Sequence, residues 1–348
     1  MAKAKTSTPP AGEDVSAAIS AVSAAVGELA GGSPSSGMAI SVGIIPTGNE
    51  VIDGVIGRGG LPAGNVSVFV GEKGAGKTTA GLQACAAVQR AGGIAIYLDA
   101  ERKVRRDRAE QLGVDWDALV YRRPNHVEGA MAALDAAIRA IARVSPTRPV
   151  VAVLDSVNAT ISHAESISKK GYLDVQPGVQ ARAYSATLRR FVEVLGDSNC
   201  ALIFIGQLRQ KIGTTRGAKW TIGVGNAIEF YTVLMLYFRL AGYERVDTDT
   251  PPIGIRVEIE VVKNQIAPPF EKGEYTLMFR DGVDRLRALI EWGLRVGVLG
   301  KAGTGWITYG SGDDAKKWNG LKRMKRDLIT DPDLLAQIRA EVRARYGE

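Results

Sequence analysis

This 348-residue chain predicts an α/β fold: a mostly parallel, doubly wound sheet, flanked by an N-terminal docking helix and a small α/β C-terminal domain. Three observations carry that expectation. Short apolar runs rich in β-branched residues alternate with helical patterns from Val66 onward. A complete Gly-x-x-x-x-Gly-Lys-Thr loop, Gly71 to Thr78, stands between the first such run and the first helical pattern. Several of the runs end in polar residues, at the carboxyl edge where open α/β sheets build their sites.

In chain order, residues 1–12 are small, polar and Pro-containing, the composition of a disordered tail. Val15, Ile19, Val22, Val26 and Leu29 then recur at helical spacing and form one apolar stripe. Gly31 to Gly37 reads as a flexible linker, so the stripe can dock on its own core or on a neighbouring copy. Residues 1–37 are thus expected to form an appendage, 38–283 the core and 284–348 a C-terminal domain. Within the core, Thr47 to Gly57 reads as a short helix, and Gly59-Gly-Leu-Pro-Ala-Gly64 turns the chain into the strand Val66 to Val70. The strands Ile94 to Leu98, Val150 to Leu154 and Ala201 to Ile205 follow, with helices over Thr79 to Arg90, Ala130 to Ala142 and Arg182 to Leu195. Val233 to Phe238, Arg256 to Val262 and Tyr275 to Phe279 are joined by short loops and are expected to extend the sheet antiparallel. Beyond Asp284, Leu286, Leu289, Ile290, Leu294 and Val298 give a helical stripe, and Trp306 to Tyr309 a short strand.

Composition narrows the class of protein. A 45% hydrophobic content is that of an ordinary globular chain, and apolar runs such as Ala201 to Ile205 are too short to span a bilayer. Glu13 and Asp14 precede the N-terminal apolar stripe, unlike a signal peptide, so a cytoplasmic location is expected. The two cysteines, Cys85 and Cys200, have no metal or redox spacing. A net charge of +7 suits a polyanionic partner.

The loop carries the first chemistry. Gly71, Glu72, Lys73, Gly74, Ala75, Gly76, Lys77, Thr78 and Thr79 would wrap the phosphates of ATP, the glycines aiming backbone N–H groups at phosphate oxygens. Lys77 would reach the β- and γ-phosphates, and the Thr78 hydroxyl would join Asp155 in holding Mg²⁺. Glu101, in Asp99-Ala-Glu101, is a candidate general base for the attacking water, although a solvated acid at a strand end reads the same way. Gln207, at the end of another strand, is a candidate γ-phosphate sensor or a turn residue.

Further segments carry a family pattern. Thr47-Gly, Gly59-Gly-Leu-Pro, the phosphate loop, Asp99-Ala-Glu101, Leu112-Gly-Val-Asp115, Leu154-Asp-Ser-Val157, Gln207 to Gly213, Gly225-Asn-Ala227, Phe230-Tyr231 and Val261 to Phe270 stand in sequence order. From about Val15 into the C-terminal region the chain resembles the bacterial RecA recombinases, and Gln207 to Gly213 and Lys263-Asn264 separate it from other ATPases of that fold. The resemblance implies a RecA-like core and a helical filament of this protein on single-stranded DNA. ATP and Mg²⁺ would be held between subunits, and the filament would pair with homologous double-stranded DNA for strand exchange. It implies Glu101, Lys77 and Gln207 as the catalytic set, and it seats the N-terminal helix on the neighbouring protomer.

Two segments would meet DNA. Ser166 to Gly178 contains Lys169 and Lys170 and leads to Arg182 and Arg189, while Arg209 to Asn226 contains Lys211, Arg216, Lys219 and Trp220. Basic side chains for phosphates and an aromatic ring for bases are the ordinary means of holding single strands. By resemblance Arg182, Arg189, Ile212, Gly225, Asn226 and Arg239 match DNA-contacting positions, and Arg209 opens the second loop. Lys316, Lys317, Lys322, Arg323, Lys325 and Arg326, around Trp318, read either as a solvated face or as a duplex-capturing cluster. The sequence ends at Glu348 without the long acidic tail of bacterial relatives, so readier loading onto duplex is expected.

The chain departs from the family at the nucleotide. Arg108 stands where a tyrosine stacks on adenine, and Arg105 replaces an acid. Of two lysines that the family supplies across the subunit boundary, Lys263 is kept and Gln265 replaces the other; Glu229 also replaces a lysine. Slower hydrolysis is expected from the lost charge. The competing readings are an ATP-switched single-strand scaffold with weak hydrolysis and a helicase or translocase on the same fold.

Overall fold

The computed structural model describes residues 43–166, 178–210, 220–222, 226–312 and 315–346; for residues 208–210, 220–222 and 226 it describes the backbone alone. The amphipathic segment Val15 to Leu29 lies outside them.

A short helix α1 (Glu50–Ile56), capped by the Asn49 side chain, precedes the first core strand β1 (Asn65–Gly71). Then come α2 (Lys77–Arg90), β2 (Ile94–Asp99), β3 (Leu119–Arg122), α3 (Val127–Val144), β4 (Val150–Asp155), α4 (Val179–Gly196) and β5 (Cys200–Ile205). Strands β6 (Thr232–Glu244), β7 (Gly254–Asn264), β8 (Lys272–Met278) and β9 (Gly282–Val283) complete a nine-stranded sheet of order β9-β8-β7-β6-β1-β5-β4-β2-β3. From β6 through β1, β5, β4 and β2 to β3 every neighbour is parallel. From β6 to β9 every neighbour is antiparallel.

The sheet is covered on both faces, which is why its central strands read as unbroken apolar runs. Along β4, Val151 and Val153 join one core with Ala84 and Cys85 of α2, while Val150, Ala152 and Leu154 join another with Leu134 of α3 and Leu188 of α4. Each fully buried side chain of this kind contributes about 1.5–3 kcal/mol, against about 0–1 kcal/mol for an exposed ion pair. The two apolar layers therefore dominate the stability of the sheet.

One expectation needs correction, and one strand was not foreseen. The run Val233 to Phe238 does not extend the sheet antiparallel: within β6 it pairs parallel to β1, Phe238 opposite Gly71. The chain between β5 and β6 acts as a crossover, so the direction is kept; only β7 to β9 reverse it. The edge strand β3 escaped the sequence reading because it has four residues and two of them, Val120 and Arg122, face solvent.

The C-terminal region forms α5 (Arg285–Arg295), a three-stranded antiparallel sheet of β10 (Leu299–Ala302), β11 (Trp306–Tyr309) and β12 (Lys316–Asn319), and the helices α6 (Leu321–Thr330) and α7 (Pro332–Ala344). Its buried Trp292, Trp318, Met324 and Ile338 are continuous with the apolar layer over α2. Trp292 packs so closely on α1 that a Cβ on Gly54 would lie 2.1 Å from its ring.

Candidate nucleotide site

The parallel strands deliver their ends to one edge: Asp99 stands opposite Asp155, Asp155 opposite Ile205, and Phe238 opposite Gly71. At that edge β1 turns into α2 through the phosphate loop. Gly71 has a φ of 144° and faces the Phe238 backbone, where a Cβ would come within 2.0 Å of a carbonyl oxygen, so only glycine fits. Gly76, in the left-handed region with φ 83°, caps α2 without a side-chain hydrogen bond. The amides of the first helical turn therefore keep their capacity for an anion. Lys77 is buried and donates to the carbonyls of Gly71 at 3.0 Å and Glu72 at 2.6 Å. Burial lowers its pKa, opposed by the carboxylates of Asp155, Glu101 and Glu72. Glu72 accepts from the Leu240 N–H at 3.1 Å, tying the loop to β6.

One carboxylate and its donors stand behind the loop. The Thr78 hydroxyl donates to Asp155 Oδ2 at 2.6 Å, and the buried Tyr97 hydroxyl donates to the same oxygen at 2.8 Å. Burial raises the Asp155 pKa against the pull of those two hydrogen bonds. A second carboxylate, Glu101, accepts from Ser156 Oγ at 2.6 Å and Gln207 Nε2 at 3.1 Å through Oε1, and from Lys103 Nζ at 2.6 Å through Oε2. Burial pushes Glu101 up, but these donors outweigh it and hold its carboxyl below the ordinary range.

Gly76, Lys77, Thr78, Glu101, Lys103, Asp155, Ser156 and Gln207 line one cleft of about 430 Å³, together with Lys73, Gly74, Thr79, Arg108 and Phe279. Arg108 lies at its rim, donating to the Arg280 carbonyl at 2.9 Å. The sequence reading missed Lys103, Tyr97, Ser156 and Phe279. Phe279 directly follows the last residue of β8, and a test of strand ends for aromatic as well as charged residues finds it. Tyr97 carries no such signal, since within an apolar strand its hydroxyl is invisible.

Other candidate residues lie elsewhere. Lys263 pairs with Met235 and Asn264 with Leu234 across β6, while Phe238, later on that strand, faces Gly71. Lys263 and the following Gln265 are therefore at the opposite edge of the sheet, about 10 Å or more along the strands from the loop. There Lys263 donates to the Glu229 carbonyl at 2.9 Å and Gln265 N–H to the Val233 carbonyl at 3.1 Å. Arg182 and Arg189, two helical turns apart, are exposed on α4. Arg239 is in an ion pair with Glu258 at 2.7 Å. Arg209 and Trp220 lie in a short antiparallel ladder, Leu208–Gln210 against Trp220–Ile222, that begins directly after Gln207, and Asn226 opens a helical turn. Lys169, Lys170, Lys211, Ile212 and Gly225 lie outside the described residues.

Comparison with known proteins fits this geometry. Residues 14–284 match the family described as the RecA N-terminal domain. The chain belongs to the RecA family. Protein RecA of Mycolicibacterium gilvum is 36% identical over 306 residues, covering 88% of this chain and 83% of that one. Protein RecA of Clavibacter michiganensis is also 36% identical, over 88% of this chain and 81% of its own. Protein RecA of Kineococcus radiotolerans is 37% identical over 304 residues, 87% of this chain and 83% of its own. As a RecA family member the chain is a DNA-dependent ATPase and recombinase, which favours that reading over the scaffold and the helicase. No helix among the described residues is long and apolar enough to cross a membrane.

Proposed function

We propose that this RecA family member hydrolyses ATP in the cleft between Gly71 and Gln207 and couples that hydrolysis to a filament on single-stranded DNA that exchanges strands with a homologous duplex. The observation that carries the proposal is the coupling of Glu101 to both partners: it lines the cleft of Lys77 and Thr78, and it is bonded to Gln207, the residue from which the ladder toward the second loop departs. A change at the γ-phosphate would thus be felt at the root of a DNA-binding segment.

Each residue has a task in that reaction. The loop amides and Lys77 bind and orient the phosphates, and Glu101 takes the proton of the attacking water. Thr78 and Asp155 are hard oxygen donors of the kind that suit Mg²⁺. Among the described residues no group of three His, Cys, Asp or Glu side chains gathers, so phosphate oxygens and water would complete the shell. Bound there, the ion would neutralise charge on the β- and γ-phosphates. Arg108 and Phe279 would take the base.

Lys263 and Gln265, remote from the loop of their own chain, support a site completed by a neighbouring protomer and hence a filament in which ATP joins subunits. Lys169, Lys170, Arg182, Arg189, Arg209, Lys211, Ile212, Trp220, Gly225, Asn226 and Arg239 are the DNA-contacting set proposed on the same resemblance. The test is hydrolysis and strand exchange measured together, with and without single-stranded DNA. Hydrolysis stimulated by DNA with formation of exchanged product supports the reading; filaments without product would overturn the recombinase part of it. A mixture of Lys77→Ala and Lys263→Ala proteins should recover activity that neither has alone, and no recovery would count against the shared site.

A further inference from the structure

The segment after Glu101 is built as a tight reversal. Arg102 adopts a left-handed backbone with φ 58°, uncommon for a side-chain-bearing residue. Asp99 holds the turn, accepting from the backbone N–H of Lys103 at 3.3 Å and of Val104 at 2.9 Å and from the Tyr121 hydroxyl at 2.8 Å. The reversal returns Lys103 to Glu101, whose Oε2 it meets at 2.6 Å.

That contact poses a chemical problem. Three of the roughly four acceptor sites of Glu101 are engaged, two on Oε1 by Ser156 and Gln207 and one on Oε2 by Lys103. An ammonium held on Oε2 makes that oxygen a weaker base and crowds the side from which a water would approach. Lys103 is the donor able to leave: its side chain is 71% exposed, against 17% for Glu101. It also lines the cleft where the phosphates bind. A terminal phosphate carries more negative charge than one carboxylate and has more acceptor oxygens, so its arrival draws the ammonium away. Lys77 serves the phosphates from the loop side, and Lys263 of the same chain lies toward the opposite sheet edge, so Lys103 is the cation of this chain placed on the Glu101 side of the cleft.

We propose that Lys103 is a mobile cation supplied from within the chain, capping Glu101 in this conformation and transferring to the γ-phosphate oxygens when ATP enters. The proposal rests on the ATPase reading above. Its transfer does two things at once. It frees Glu101 Oε2 to take the water proton, and it places positive charge where the reaction concentrates negative charge. The water oxygen bonds to the γ-phosphorus as the bond from that phosphorus to the β,γ-bridging oxygen breaks. The leaving electron pair stays on ADP, and the proton goes to Glu101. On this view a cation in cis stands in for charge that the neutral Gln265 does not provide.

The test uses the full chain with Mg²⁺ and compares wild type, Lys103→Met and Lys103→Arg. Calorimetry measures affinity for ADP and for the β,γ-imido analogue of ATP, and single-turnover hydrolysis is followed on single-stranded DNA. Lys103→Met should bind the analogue about tenfold more weakly with ADP affinity unchanged, and should lose about 100-fold in hydrolysis rate. Lys103→Arg should recover most of both. Equal affinities in wild type and Lys103→Met, or an equal loss for ADP and the analogue, would overturn the transfer. A Lys103→Met rate at or above wild type would leave only the cap and sink the proposal. A wild-type protein that binds the analogue without hydrolysis would defeat the ATPase reading instead, and the analogue-to-ADP ratio would still decide whether Lys103 meets the γ-phosphate.

Discussion

Thr78 and Asp155 meet at 2.6 Å across 77 positions of sequence, and Tyr97 closes on the same carboxylate oxygen at 2.8 Å. The tyrosine hydroxyl has the tighter confinement, being fully buried in the strand beside Asp155. Tyr97→Phe removes that donor with little change of volume and leaves Asp155 Oδ2 one partner short. Such a loss costs about 1–3 kcal/mol of stability. Because Asp155 is also the proposed Mg²⁺ group, the half-saturating Mg²⁺ concentration for ATP hydrolysis should rise. Thermal melts and Mg²⁺ titrations of the variant check the two effects separately; an unchanged Mg²⁺ requirement would remove Tyr97 from the site.

Gln207 offers a cleaner separation of binding from signalling. It touches Glu101 through its amide, and the ladder begins at the next residue. Gln207→Ala leaves the phosphate loop intact, so ATP affinity should stay within about twofold of wild type, because no phosphate-holding group is lost. What should vanish is stimulation: hydrolysis rates with and without single-stranded DNA should converge. Stimulation that survives the substitution would break the proposed link.

The parallel sheet and phosphate loop were legible in the sequence because they are local: β-branched runs, glycines and helical spacing all act within a few residues. The capacity of Asp99, Glu101, Asp155 and Gln207 to share an edge also followed, since each ends an apolar run. What the sequence could not reveal are relationships set by register. Lys103 reads as one more charge in a basic segment until the left-handed turn at Arg102 folds it back on Glu101. The parallel direction of β6 depends on the path taken by the crossover before it. The separation of Lys263 from the loop follows only once that direction is known.

Arg182, Arg189 and Arg239 make different predictions although the resemblance groups them. The two arginines on α4 are exposed on one face, whereas Arg239 is paired with Glu258. Removing one cation that neutralises a phosphate of single-stranded DNA lowers the salt dependence of log affinity by about 0.7. The Arg182→Ala, Arg189→Ala double variant should therefore bind more weakly with a slope lower by about 1.4, whereas Arg239→Ala should lower the slope by less than one full phosphate neutralisation, because Glu258 already offsets part of its charge. Affinity measured across a salt series decides this. A slope reduced in Arg239→Ala by as much as one phosphate neutralisation would show that its ion pair opens to take DNA.

Asp53 sets a pH dependence away from the cleft. It is fully buried on α1, where Thr47 donates to its Oδ1 through the backbone N–H at 2.8 Å and the hydroxyl at 2.7 Å. Burial outweighs those hydrogen bonds and pushes its carboxyl from the ordinary 3.8 up to about 8. The folded state therefore holds this proton more tightly than the unfolded chain does. That contribution to stability is fully present below the unfolded value of 3.8 and is lost as pH rises through about 8. Asp53→Asn keeps the shape and cannot ionise. Denaturant midpoints measured from pH 5 to 9 should fall more steeply for wild type than for the variant, so that the stability difference shifts in favour of the variant as pH rises. Parallel curves would mean that Asp53 is ionised in the folded protein throughout, with the two Thr47 donors sufficient to hold the charge.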